Sequence, residues 1–328
     1  MKKSILITGG TGYLGARIAL KLSEIIDFDI SITTHKKKIK DSNWFRKGSI
    51  IYVDLAEEED LRKICQGSEV IIHLAALNEA ECSTNPKLAY IVNTLGTKKL
   101  VETAEKEGVK RLIYFSTAHV YKSPLIGAIN EKIIPNPSSI YAKTHKDAED
   151  FVLKPNKDSN TCNIVLRVSN AFGAPVHPNI SRWSLVVNDF CLQAIVNKKI
   201  ILKSSGLEVR DFITIQDVTN AVLHFINLSA LKCFDGVFNL GGENTMSIIS
   251  MAELVVEQCN KLFNFKPDII VSDKYSKKIE ENQNLVLDFK IDKLKSTGFK
   301  LSGNIQEEIQ NTLKFCNIHF GKKSIINT

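Results

Sequence analysis

The segment Thr8-Gly9-Gly10-Thr11-Gly12-Tyr13-Leu14-Gly15 constrains this chain more than any other. It follows an apolar run, Ser4 to Thr8, that reads as a strand. It opens an amphipathic pattern, Tyr13 to Ile26, that reads as a helix. In a strand–turn–helix of this kind the first glycine permits the tight turn. The second lets backbone N–H groups approach a phosphate, and the third lets helix and strand pack closely. The positive end of the helix dipole then favours an anion at the turn. A nicotinamide dinucleotide is the expected ligand, with Gly9, Gly12, Tyr13, Leu14 and Gly15 around its pyrophosphate.

The pattern then repeats. Strands are expected at Asp29–Thr34, Ser49–Val53, Glu69–His73, Arg111–Ser116 and Asn163–Val168. Helices are expected at Glu57–Cys65, Lys87–Lys106 and Ile140–Leu153. Near-continuous apolar strands separated by helices mean an α/β fold, a doubly wound Rossmann-type parallel sheet buried on both faces. After Gly173 the pattern breaks up. Pro175 and Pro178 mark a loop. Helices are expected near Ser184–Val196, at Ile248–Leu262 and from Ile305 to about Cys316, with a strand–helix pair over Asp211–Leu228 and a strand at Val237–Leu240. The expected division is a dinucleotide-binding domain over 1–172 and a smaller, mainly substrate-binding lobe over 173–328, with some segments returning to the sheet.

Composition narrows the partners. Hydrophobic residues make up 44% and charged residues 24%, an ordinary globular mix. No apolar run approaches the roughly 20 residues that span a bilayer, and Met1-Lys2-Lys3-Ser4 leads into a strand rather than a signal peptide's apolar stretch. No membrane association and a cytoplasmic location are expected. The net charge of +7 is spread along the chain without a basic stripe interleaved with aromatics, so no nucleic-acid partner is expected. Seven cysteines lie without metal-ligand spacing, and their odd number argues against a disulfide framework. They read as small core residues, and no metal is expected.

At the end of the second strand an acidic residue would bond the adenosine ribose and select NAD. Here Thr33-Thr34-His35-Lys36-Lys37 stands instead. With no carboxylate to repel a 2′-phosphate, Thr34, His35 and Lys36 favour NADP, with NAD second. The short cluster Lys36, Lys37 and Lys38 also fits an ordinary solvated loop.

Three further segments sharpen the reading: His73-Leu74-Ala75-Ala76, Phe115-Ser116-Thr117, and Tyr141 at a helix start. With the glycine turn, they resemble the extended short-chain dehydrogenase/reductase family, particularly its nucleotide-sugar epimerases, dehydratases and reductases. Leu166 to Gly173, Gly206, Arg210 to Val218 and Phe238 to Gly241 resemble the markers of its second lobe, so the resemblance covers nearly the whole chain. It implies that Tyr141 is the acid/base and that Thr117 holds the same substrate oxygen. It implies cofactor contacts at Asp54, Leu55, Leu74, Ala75, Ala76 and Asn93, and substrate contacts at Asn78, His119, Asn170 and Arg210. The last two would meet the diphosphate of a nucleotide sugar, a match for a guanidinium fork. It also implies a homodimer built on the helices Lys87–Lys106 and Ile140–Leu153.

Two departures matter. The family pattern is Tyr-x-x-x-Lys, whose lysine lowers the tyrosine pKa and binds the nicotinamide ribose. Four residues after Tyr141 stands His145. Positions i and i+4 share a helix face, so His145 takes the lysine's place, whereas Lys143 and Lys146 point elsewhere by roughly 100° or more. Imidazole is shorter and is charged only below a reference pKa of about 6.5. The family's 4,6-dehydratases place Asp-Glu after the catalytic threonine; here Ala118 and His119 follow Thr117, which argues against that elimination. The leading expectation is NADPH-dependent reduction of a 4-keto nucleotide sugar. A 4-epimerase with bound NAD is the alternative, and a cofactor-binding protein with weak or no catalysis is a third. The loop Val176 to Trp183 borders the expected sugar site or simply closes the lobe.

Overall fold

The glycine turn joins β1 (Lys3–Thr8) to α1 (Tyr13–Ser23). The computed structural model describes residues 2–36, 43–154, 160–180, 182–271 and 286–321. Lys37 and Lys38 of the basic cluster and Ser181 of the sugar-side loop lie outside the described residues. The chain continues through β2 (Phe28–Thr34), β3 (Ser49–Tyr52), α2 (Glu58–Cys65), β4 (Val70–His73) and α3 (Glu79–Thr84). It goes on through α4 (Pro86–Ala89), α5 (Thr97–Lys106), β5 (Arg111–Thr117), β6 (Gly127–Ile129), α6 (Ile140–Leu153) and β7 (Cys162–Val168). Beyond these come β8 (Asn170–Phe172), α7 (Val186–Asn197), β9 (Lys199–Leu202), β10 (Val209–Thr214), α8 (Ile215–Asn227) and β11 (Val237–Leu240). Then follow β12 (Asn244–Ser247), α9 (Ile248–Phe263), β13 (Asp268–Val271), β14 (Leu287–Phe289), α10 (Asp292–Ser296) and α11 (Ile305–Phe320).

Seven strands form one parallel sheet in the order β11-β7-β5-β4-β1-β2-β3. Side chains alternate across a strand, and the two faces bury different sets. Ile5, Ile7, Ile72 and Ile113 join the core beneath α1 and α8. Leu6, Ile71, Leu112 and Val165 join the core beneath α2, α5 and α6. The strand order reverses between β1 and β4, and the crevice outside the carboxyl ends there is where open α/β sheets bind ligands. The glycine turn and the end of β4 stand at that crevice.

The second half builds its own core around Phe172, Phe190, Phe212, Met251 and Leu313. A small sheet, β12-β10-β8, carries it, and the pairs β13-β9 and β14-β6 flank it. Strand β11 lies beyond residue 173 yet completes the edge of the main sheet. Among the described residues no helix is long and apolar enough to cross a membrane.

Two expectations need correction. The single helix over Lys87–Lys106 is instead α4, a π-helical segment Tyr90–Gly96, and α5. The widened turn accompanies long-range bonds from its middle: Asn93 reaches Leu77 and Thr144, and Thr94 Oγ1 donates to the Thr144 carbonyl at 3.0 Å. The last helix runs past Cys316 to Phe320, where Phe320 meets Trp183 edge-on at 5.2 Å between ring centroids.

Candidate active site

The turn is packed too tightly for side chains at Gly9, Gly10 and Gly15; a Cβ on Gly10 would lie 2.4 Å from the Ile32 Cβ. Gly9 has φ +65°, and a Cβ there would come within 2.9 Å of the Ala75 nitrogen. A Cβ on Gly15 would lie 2.4 Å from the Gly9 carbonyl oxygen. Gly12, at the N-cap of α1, is exposed, and a Cβ there would meet only Gly9 O, at 3.1 Å. Gly9, Gly10 and Gly15 thus serve packing, and Gly12 keeps an exposed backbone approach, the arrangement a pyrophosphate needs.

The ends of β1 and β4 are tied together beneath it. Thr8 Oγ1 lies 2.6 Å from His73 Nδ1, and it accepts from the Leu74 and Ala75 N–H groups at 3.2 and 3.3 Å. His73 Nε2 lies 2.9 Å from Thr97 Oγ1. Burial pushes the His73 pKa down to about 3, so the ring is a neutral spacer. Leu74 and Ala76, like Ala75, are half-buried, leaving little bulk beside the turn.

Thr117 ends β5, and Tyr141 and His145 lie on one face of α6. The Tyr141 and His145 rings meet edge-on, with centroids 4.4 Å apart. The Thr117 hydroxyl faces the Tyr141 phenol and eases its ionisation, and it also accepts from the His119 N–H at 3.2 Å. Desolvation nonetheless holds the Tyr141 pKa up at about 12, with Arg182 the largest opposing influence. Lys143 is exposed, and Lys146 pairs with Asp150. Neither supplies the cation that His145 replaces.

His145 is itself neutral. It is 3% exposed, and burial pushes its pKa down to about 4. Its Nδ1 lies 2.7 Å from the Tyr114 hydroxyl, whose ionisation burial also suppresses. That hydroxyl hydrogen has no other acceptor among the described residues, so Tyr114 donates to Nδ1 and the proton of the imidazole sits on Nε2. Nε2 is buried and has no hydrogen-bond partner among the described residues. A buried N–H left unmet costs stability, and a ribose hydroxyl would satisfy it.

The other residues singled out in the sequence have more varied surroundings. Tyr13 is buried; its hydroxyl donates to the Gly173 carbonyl at 2.7 Å, tying α1 to the second lobe. Thr34 is buried, with its hydroxyl 3.2 Å from Thr11 Oγ1 and accepting from the Lys36 N–H, while His35 and Lys36 are exposed. Asp54 is exposed and accepts from the Ala56 N–H at 2.9 Å, and Leu55 beside it is half-buried. Asn93 Oδ1 accepts from the Leu77 N–H at 2.7 Å, and its Nδ2 donates to Thr144 Oγ1 at 3.1 Å, bracing the loop after β4 against α6. Asn78 caps α3, accepting from Ala80 and Glu81 while Nδ2 donates to Glu81. Its side chain is thereby engaged within its own turn.

On the lobe side, Asn170 Nδ2 donates to the Asp211 carbonyl at 2.9 Å, fixing β8 to β10. Arg210 is half-buried on β10, and among the described residues no carboxylate pairs with it. It lies close enough to His119 to oppose protonation of that ring, adding to the effect of burial, while Glu79 favours it. A half-buried guanidinium with no carboxylate partner among the described residues, beside a neutral imidazole, is suited to an anion. Three residues emerge only from the fold: Tyr114, Arg182 and Glu79. Arg182 stands in the loop from Val176 to Trp183, and Tyr114 sits one strand repeat from Ser116, whose hydroxyl donates to Glu149 on the same helix as His145.

Residues 5–241 match the model of the NAD dependent epimerase/dehydratase family. The dTDP-D-glucose 4,6-dehydratase of Dictyostelium discoideum is 28% identical over 279 residues, which are 77% of this chain and 62% of that protein. The UDP-arabinose 4-epimerase 1 of Arabidopsis thaliana is 28% identical over 283 residues, 78% of this chain and 66% of that one. The chain thus spans about two thirds or less of these relatives. A solved structure, UDP-glucuronic acid 4-epimerase from Bacillus cereus in complex with UDP-glucuronic acid and NAD, shares the fold. Its TM-score is 0.79 at 19% identity, covering 96% of this chain and 99% of its own. The chain belongs to the NAD dependent epimerase/dehydratase family, enzymes of the extended short-chain dehydrogenase/reductase type.

Proposed function

We propose that the protein is a nucleotide-sugar 4-epimerase, which oxidises one sugar carbon and re-reduces it from the other face. The observation that carries this is the meeting of Thr117, Tyr141 and a neutral His145 at one end of the sheet, with Arg210, which pairs with no carboxylate among the described residues, on the facing lobe. The nicotinamide, when bound, supplies the acceptor and donor of hydride. Tyr141 exchanges the proton of the sugar hydroxyl, and Thr117 holds the same oxygen. His145 donates through Nε2 to the nicotinamide ribose, orienting without adding charge. Arg210 receives the diphosphate, and residues 173–328 mainly form the sugar-nucleotide lobe. The exchange returns every atom it removes and needs no second acid/base pair, which suits a site with Ala118 and His119 after Thr117.

A second reading, NADPH-dependent reduction of a 4-keto nucleotide sugar, is favoured by one observation. His35 and Lys36 follow β2 directly and are exposed, with no carboxylate beside them at that strand end among the described residues, an environment tolerant of a 2′-phosphate. Incubation with UDP-, GDP- and dTDP-sugars separates the readings. Interconversion of 4-epimers without added reductant supports epimerisation. Net consumption of NADPH by a keto sugar supports reduction instead, and tight cofactor binding with no turnover on either class defeats both.

A cytoplasmic homodimer is part of this reading. Leu88, Tyr90, Ile91 and Ile140 are exposed on the helices that would form its interface. Light scattering tests it: a monomeric mass at working concentration contradicts the dimer.

A further inference from the structure

Far from the active site, at the amino ends of the strands, two cysteines stand together. Cys162 opens β7. Cys233 lies in the turn after α8 that leads into the edge strand β11. Both are free thiols, and their sulfurs are 2.8 Å apart. A disulfide needs about 2.05 Å between its sulfurs, so the two stand less than an ångström beyond bonding distance. The turn is already fastened to β7, because the Val165 N–H donates to the Gly236 carbonyl at 2.7 Å.

We propose that Cys162 and Cys233 form a reversible dithiol–disulfide site that clamps β11 to β7 and takes a small-molecule disulfide as its oxidant. The site is reachable. Cys162 is half-exposed, and an open cleft of about 410 Å³ borders both sulfurs, lined also by Lys154, Asn163, Phe234 and Asp235. The surroundings also distinguish the two sulfurs. Contact with the Cys233 sulfur and the positive charge of the Arg111 guanidinium favour Cys162 as thiolate, while the Cys233 thiol is directed at the Ser229 carbonyl, 3.6 Å away, and keeps its proton. Arg111 already holds the turn through the Ile226 and Leu228 carbonyls, at 3.0 and 2.5 Å, and its Nε is buried with no hydrogen-bond partner among the described residues.

The chemistry balances as two exchanges. The Cys162 thiolate attacks one sulfur of the oxidant, forms a mixed disulfide and expels one thiolate. Cys233 then loses its proton, attacks the Cys162 sulfur and expels the second thiolate. Two protein thiols and one small disulfide become one protein disulfide and two small thiols. Cys233 is itself buried but lines the cleft; the other five cysteines, Cys65, Cys82, Cys191, Cys259 and Cys316, are buried and do not line it, and they serve as internal controls. Strand β11 lies at the sheet edge, hydrogen-bonded there to β7. A cross-link at its base therefore acts on the stability of that edge, and its distance from Tyr141 leaves the chemistry unchanged.

The test uses the full chain, reduced and then equilibrated with mixtures of reduced and oxidised glutathione. Free thiols are alkylated and the peptides identified by mass spectrometry, with Tm measured in parallel. The expected result is a Cys162–Cys233 peptide that appears with oxidised glutathione, disappears on reduction and raises Tm by several degrees. Cys162→Ser should abolish the rise. Should that variant fold poorly, Cys233→Ala provides the same comparison. Full alkylation of both cysteines in oxidised glutathione, a lasting mixed disulfide at Cys162, or an equal Tm rise in the variants overturns the proposal.

Discussion

The Tyr114 hydroxyl stands 2.7 Å from His145 Nδ1, inside a site where both side chains are buried. The contact fixes the tautomer of the residue that replaces the family lysine. Without the Tyr114 donor, Nδ1 and Nε2 would compete for one proton. Tyr114→Phe is therefore expected to yield mixed tautomers in NMR spectra of isotope-labelled histidine and to weaken dinucleotide binding. Leaving Nδ1 unmet should also cost about 1–3 kcal/mol of stability. A single unchanged tautomer in the variant would remove Tyr114 from this role.

His145→Lys restores the family pattern. An ammonium close to a phenol favours the phenolate, and an opposite charge within about 4–6 Å moves a pKa by about 1–3 units. The Tyr141 pKa, held near 12 by desolvation, should fall, and the rising limb of the rate profile should move to lower pH with it. Ultraviolet titration, with Tyr141→Phe as the blank, reads the same shift without turnover. No shift in either would mean that the lysine position does not govern Tyr141.

With His145 neutral, Arg182 is the largest charge favouring the Tyr141 phenolate. Arg182→Gln should raise the Tyr141 pKa further and slow the reaction most at neutral pH, with little effect on dinucleotide affinity. Equal loss of rate at all pH values would point to substrate binding instead.

Glu308 offers a test through stability alone. It is 5% exposed, and burial raises its pKa from 4.5 to about 7 against the opposing pull of Arg17. A raised folded pKa means that stability is fully present below the unfolded value and is lost as pH rises through the folded one. Compared with the wild type, Glu308→Gln should gain stability progressively between pH 4.5 and about 7. The gain should then level off at up to about 3 kcal/mol. Denaturant titrations across that range check it, and parallel curves would contradict it.

The parts legible in the sequence are those written in short spacings. The glycine turn, Thr117 at a strand end, and the i, i+4 relation of Tyr141 to His145 all follow from local periodicity. Residues whose environment depends on distant chain were not legible. Tyr13 sits in the glycine motif, yet its hydroxyl is set by Gly173, 160 positions away. Asn93 looked like one position in a plain helix, but its bonds to Leu77 and Thr144 coincide with a π turn. Strands as short as β6 and β14 have no usable alternation of their own; each exists only because the other pairs with it. Cys162 and Cys233, 71 positions apart, carry no spacing that suggests a pair.

In the proposed site Tyr141 exchanges the proton of a sugar hydroxyl that Thr117 holds, beside a neutral His145, and a bound nicotinamide would take and return the hydride of the carbon that bears it. The most direct measurement mixes the protein and NAD with UDP-sugars, following the near-ultraviolet absorbance of reduced nicotinamide alongside chromatography of the sugar products. Transient reduction with appearance of the 4-epimer in the wild type, and neither in Tyr141→Phe at unchanged NAD affinity, is the expected result. Epimer formation that survives Tyr141→Phe, or NAD bound with no reduction by any nucleotide sugar, would contradict it.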